Sequence, residues 1–96
     1  MNDEYFMQQA LKEARQAFEA DEVPIGAVVV MGGRVIARGH NQTERLKDST
    51  AHAEIIALRT GAQRQRNYRL GAATMYATLE PCAMCMGALL RSEEVV

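Results

Sequence analysis

Apolar and polar positions change period along the chain, and each change marks an element. Met7, Ala10, Leu11, Ala14 and Phe18 recur at helical spacing and predict one apolar stripe on a first helix. Glu13, Arg15, Gln16 and Glu19 fall on its other faces. Asn2 or Asp3 can cap this helix, and Pro24 ends it by Glu22 or Val23, because the residue before a proline avoids helical angles. Residues 25–31 read as a strand apolar on both faces, as a central position in a sheet requires. Gly32-Gly33 is a two-residue hairpin signal. Residues 34–40 then alternate Val35, Ala37 and Gly39 against Ile36, Arg38 and His40, the pattern of a more exposed antiparallel edge strand.

Residues 41–49 are polar and read as a loop. Asp48, Ser49 and Thr50 are good caps for a second helix starting near Ala51, with Ile55, Ile56, Leu58 and Ala62 on its buried side. Gly61 and the arginines after it fray that helix by about residue 65. Residues 73–79 form the third strand of the prediction. Pro81 has no N–H to lose and suits the first turn of a third helix over residues 82–91, packed down by Met84, Ala88 and Leu89. Residues 93–96 begin a fourth strand. The order α-β-β-α-β-α-β, without repeats, implies an α/β fold in which helices sandwich a mixed sheet.

Composition narrows the classes. A chain of 96 residues makes at most one small domain with a marginal core. Net charge is −1, so the chain as a whole does not seek nucleic acid on charge alone. Residues 1–22 are acidic, whereas residues 59–69 hold Arg59, Arg64, Arg66 and Arg69 with no acid. That basic stretch reads either as a local phosphate footprint or as a solvated helix end. The opening Met1-Asn2-Asp3-Glu4 lacks the basic start of a signal peptide, and the longest apolar run is too short to span a bilayer. With only two cysteines, three apart, a reducing cytoplasm is the expected location and a membrane is not an expected partner.

The chemistry concentrates in His52-Ala53-Glu54 and Pro81-Cys82-Ala83-Met84-Cys85. On a helix Cys82 and Cys85 point the same way. One imidazole and two thiolates make three zinc ligands, which leaves the fourth tetrahedral position for water, the catalytic pattern. Glu54 is then the natural base for that water's proton and the acid that hands it on. Both halves of the site fall at predicted helix N-termini, where the helix dipole favours a thiolate and an ionised carboxylate. His52 and Glu54 stand two apart and diverge on a regular helix, so the pair works only off the end of the helix. Other readings stand beside this one, among them two cysteines that are simply buried as small hydrophobes. The cysteine pair alone fits a redox motif. A closed structural zinc site of His40, His52, Cys82 and Cys85 is the sharper rival, and it leaves Glu54 unexplained.

At these residues the chain resembles the zinc-dependent cytidine and deoxycytidylate deaminase superfamily, and within it the bacterial tRNA-specific adenosine deaminases. The resemblance rests on the His-x-Glu and Pro-Cys-x-x-Cys motifs and on blocks at 21–28, 50–54, 67–70 and 78–82. It implies a three-layer α/β/α fold with a mixed sheet, one Zn2+ held by His52, Cys82 and Cys85, and Glu54 as the catalytic proton shuttle. It also implies hydrolytic deamination of a flipped-out adenosine to inosine at the wobble position of tRNA. Asn41 and the backbone of Ala53 are expected to hold the nucleoside, with Pro24 and Ile25 lining the pocket. The implied partners are a tRNA anticodon stem-loop and a second copy in a homodimer. The alternatives are a deaminase of guanine or deoxycytidylate and an inactive zinc-binding fragment. Family catalytic domains run on past this point, so residues 1–96 are expected to be the N-terminal portion of one deaminase domain, lacking its C-terminal strand and helices.

Overall fold

The computed structural model describes residues 3–66, 70, 73–78 and 84–85. Its elements are α1 (Asp3–Glu19), β1 (Gly26–Met31), β2 (Arg34–His40), α2 (Thr43–Leu46), α3 (Ala53–Gln65) and β3 (Ala73–Ala77). The strands make one sheet in the order β2-β1-β3, and β1 is antiparallel to both neighbours. β2 and β3 therefore run the same way on either side of β1, joined through α3. All ladders among the described strands are antiparallel; the predicted fourth strand, at 93–96, lies outside the described residues.

β1 is central because its residues serve both faces. Ala27 and Val29 pack with Ala57, Leu58, Leu70 and Met75 under α3. Val28 and Val30 pack with Phe6 and Ala10 under α1. The result is three layers, helix on sheet on helix. Full burial of Val28, Val29 and Met75 contributes about 1.5–3 kcal/mol each. The hairpin between β1 and β2 turns at Gly32 and Gly33, whose φ values of 61° and 75° suit residues without a Cβ. β2 is not a plain alternation. Val29 pairs Ala37 but Val30 pairs Val35, so Ile36 is the extra residue of a bulge. Val35 then packs in the α1 layer while Ile36 joins Ala37 in the α3 layer.

The buried face of α1 differs from the predicted stripe. Phe6, Gln9, Ala10, Glu13, Ala14 and Ala17 are buried, whereas Leu11 is 55% and Phe18 68% exposed. Size and pairing outweigh hydrophobicity here. A Cβ on Gly26 would lie 2.2 Å from Ala10 O and 2.4 Å from Ala14 N, so β1 touches the α1 backbone and admits only small residues. β2 meanwhile offers Arg38 and His40 to the same helix, which buries Gln9 and Glu13 as their partners. α1 also ends before Glu22: Asp21 turns left-handed at φ 61°, and Glu22 N–H closes on Ala17 O at 2.9 Å.

The same logic corrects α3. Its buried positions are Ala53, Glu54, Ala57, Leu58 and Gly61, while Ile55, Ile56 and Ala62 are only partly covered. A Cβ on Gly39 would sit 2.4 Å from Ala53 O and 2.7 Å from Ala57 N, so β2 lies directly against the α3 backbone. α3 starts at Ala53, with His52 as its N-cap, two residues after the predicted start. The expected cap Asp48 is spent in a turn, accepting from Thr50 N–H at 2.9 Å and Thr50 Oγ1 at 2.6 Å. The segment read as loop contains α2. β3 stops at Ala77. Most of the predicted third helix, 82–91, lies outside the described residues; of its two described residues Met84 is 37% exposed and Cys85 is fully buried. Consecutive helical side chains point about 100° apart, so only one of the two faces inward.

Candidate metal centre

Of the three candidate ligands, His52 and Cys85 lie among the described residues, and the fold brings them together. His52 leaves β2's connection in extended conformation, φ −77° and ψ 152°, and so stands off the helix end. Glu54 follows in the first turn of α3, where the helix dipole favours a carboxylate. Only Glu54 of the two is helical, so the rule for two residues on one regular helix does not apply to the pair. Asn41 fixes this helix end: its Oδ1 accepts the Ala53 N–H at 2.9 Å, a donor that the helix itself leaves unpaired. The Asn41 N–H in turn donates to Ile25 O at 3.1 Å. Asn41, Ala53 and Ile25 thus form one bonded set, with exposed Pro24 beside it.

Cys85 Sγ lies 3.6 Å from His52 Nδ1. That separation suits a weak thiol–imidazole hydrogen bond. It also suits two ligands on one tetrahedral zinc, since zinc–sulfur and zinc–nitrogen bonds of about 2.3 and 2.0 Å put the two atoms about 3.5 Å apart. The donor set, one soft sulfur and one imidazole, is a zinc-type set. Cys82, the other expected ligand, lies outside the described residues. Among the described residues no group of three His, Cys, Asp or Glu could hold a metal ion.

Glu54 is 4% exposed and makes no hydrogen bond or ion pair among the described residues. A buried carboxylate without a partner is costly, by several kcal/mol, and is kept where the group is needed. Asn41 is 5% exposed, and its side-chain NH2 has no partner among the described residues. A buried carboxylate and a buried amide thus stand at the start of the helix that His52 caps.

His40 stands elsewhere. Its Nδ1 meets Glu13 Oε1 at 3.1 Å on the α1 side of the sheet, so the four-ligand set with His40 does not form around His52. Sequence reasoning missed Glu13 and Glu22 as buried groups, since both lie in a run of acids that reads as a solvated face. It also missed the use of Arg64, whose Nη1 donates to Ile36 O at 3.0 Å and satisfies the carbonyl at the bulge. Arg69 lies outside the described residues.

A family model for the cytidine and deoxycytidylate deaminase zinc-binding region matches residues 1–96. The tRNA-specific adenosine deaminase of Aquifex aeolicus is 47% identical over all of this chain, which spans 65% of that relative's length. A solved structure from work on A-to-I editing by tRNA:A34 deaminases superposes with TM-score 0.91 at 52% identity, covering 94% of this chain and 69% of that one. The guanine deaminase of Bacillus subtilis superposes with TM-score 0.92 at 38% identity, covering 99% and 62%. The chain spans between half and two thirds of the bacterial relatives that it matches.

Proposed function

We propose that this chain, which belongs to the cytidine and deoxycytidylate deaminase family, serves the zinc-dependent hydrolytic deamination of adenosine to inosine at the wobble position of a tRNA. One observation carries the chemistry. Glu54 is buried and unpaired among the described residues, two positions from a histidine whose Nδ1 lies 3.6 Å from Cys85 Sγ. The choice of adenosine in tRNA is supported by relatives of that name at 45–55% identity.

His52, Cys82 and Cys85 would hold the ion, one per chain. When bound, it supplies a Lewis acid that makes a water proton labile near neutral pH. Glu54 takes that proton and delivers it to ring nitrogen N1, then takes the remaining proton of the hydroxyl added at C6 and gives it to the amino group, which leaves as ammonia. The water oxygen ends on C6, so adenosine and water give inosine and ammonia. The side-chain NH2 of Asn41 is the donor offered to the nucleoside, held in place because its oxygen is tied to Ala53 N–H. Pro24, Ile25 and Ala53 complete the wall around it. The partner of this reading is a tRNA anticodon stem-loop whose target base is splayed out of the stack. A homodimer in the cytoplasm belongs to the same reading and follows the family resemblance. No helix among the described residues is long and apolar enough to cross a membrane.

The test compares inosine formation in an anticodon hairpin with turnover of free guanine and deoxycytidylate, on protein whose zinc content is measured. Inosine in the hairpin supports the proposal. Glu54→Gln should keep the zinc and lower the rate by about 10²–10⁴-fold. Turnover of guanine with an unedited hairpin would move the substrate to a free base, a reading that the superposition on guanine deaminase favours. Bound zinc with no turnover of any substrate would make the chain an inactive zinc-binding fragment.

A further inference from the structure

The buried carboxylate of Glu22 takes no part in that chemistry. It is 6% exposed. Its Oε1 accepts the Glu44 N–H at 3.1 Å, and its Oε2 accepts the Arg45 N–H at 2.7 Å. One ionised group therefore satisfies two backbone donors that would otherwise be lost, and charge-assisted bonds of this kind are the strong ones. Glu22 precedes Val23, Pro24 and Ile25 in the connection from α1 to β1. Glu44 and Arg45 lie in the connection from β2 to α3.

The second connection is a closed unit. Gln42 N–H donates to Ala51 O at 3.0 Å, which ties residues 42–51 into a loop at its own base. Just outside that base stand Asn41 on one side and His52 on the other. Asn41 bridges the two connections, giving its N–H to Ile25 O at 3.1 Å and taking the Ala53 N–H at 2.9 Å. The two connections are thus joined at two points: through Asn41 at the base of the loop and through Glu22 farther along it. Glu22 thus adds a second tie on the loop, away from Asn41.

We propose that Glu22 is a positioning residue: its carboxylate locks the loop of residues 42–51 to the connection of residues 20–25, and so sets where Asn41 and the start of α3 stand relative to Pro24 and Ile25. The proposal deepens the reading of Asn41, Pro24 and Ile25 as groups on the substrate side, and rests on it. Glu22→Gln is the informative variant. It keeps the volume and one acceptor but turns an NH2 towards a backbone N–H, which opens one of the two bonds.

The experiment uses the zinc-loaded chain, with Glu22→Gln and Glu22→Asp compared with the parent. Amide exchange at Glu44, Arg45 and Ala53 should quicken about tenfold or more in Glu22→Gln, while the amides of β1 keep their protection. Zinc content should not change. KM for the RNA hairpin should rise about tenfold with kcat within about twofold, because the lost order acts on binding. Glu22→Asp, which keeps the charge, should recover part of both effects. Unchanged exchange at Ala53 would overturn the proposal, since the lock then does not reach the helix start. Faster exchange with an unchanged KM would reduce Glu22 to a brace of α2. If the parent leaves the hairpin unedited, the tRNA reading fails by itself, and exchange at Ala53 still decides the lock.

Discussion

Glu13, Glu22 and Glu54 are all buried, and their surroundings give each a different task. Glu13 is paired with His40 and Arg38 on the α1 side of the sheet. Glu22 is held by two backbone N–H groups. Glu54 has no partner among the described residues. In the sequence the three look alike, because burial is a property of what packs against a residue. Only the spacing of Glu54 from His52 singled it out. His40 was legible as a possible ligand for the same reason of spacing, and the pleat decided otherwise: in β2 it shares the face of Arg38, which α1 covers. We therefore expect His40→Ala to retain zinc in the purified protein and His52→Ala to lose it, by metal analysis. Loss of zinc from His40→Ala would reinstate the closed four-ligand site. The same His40→Ala change should lower stability by about 1–3 kcal/mol in urea unfolding, since it strips Glu13 of its nearer partner.

At the scale of elements, helices and strands were read from period and punctuation, and apart from α2 the described elements fall within a few residues of that reading. β2 and the end of α3 at Gln65 are where the pattern put them. Which face each helix buries was not legible from hydrophobicity. On both helices the nearest strand presents a glycine, Gly26 or Gly39, and the backbone comes so close that alanines line the contact. Large residues such as Leu11, Phe18 and Ile55 fit better at the margins or outside. This yields a contrast on α1. Phe6→Ala should cost about 3–5 kcal/mol in urea unfolding, and Phe18→Ala less than about 0.5 kcal/mol. Equal losses would restore the predicted stripe. α2 was missed because four residues give no period to detect, and what holds it is the Glu22 carboxylate across the fold.

At the scale of the molecule, the sheet separates two cores with unequal roles. The core under α3 supports the helix whose start carries His52 and Glu54, whereas the core under α1 lies behind the sheet. A lesion of each should therefore differ in kind. Met75→Ala and Val28→Ala should both destabilise the chain, by about 2 kcal/mol or more. Only Met75→Ala should also weaken zinc retention against a chelator, because it loosens the seat of α3. Equal loss of zinc in both would mean that the two faces act as one.

The first helix, the central place of β1 and the hairpin at Gly32-Gly33 were decided by the sequence alone, and His52, Glu54 and the cysteine pair were legible there as a candidate site. Each depends on residues near in the chain or on the chemical nature of a side chain. The rotation of α1 and α3, the bulge at Ile36, the pairing of His40 with Glu13 and the embrace of residues 44 and 45 by Glu22 were decided only by the tertiary structure. They depend on which backbone approaches which between different elements. A local pattern records what a residue is, and only packing determines what it touches.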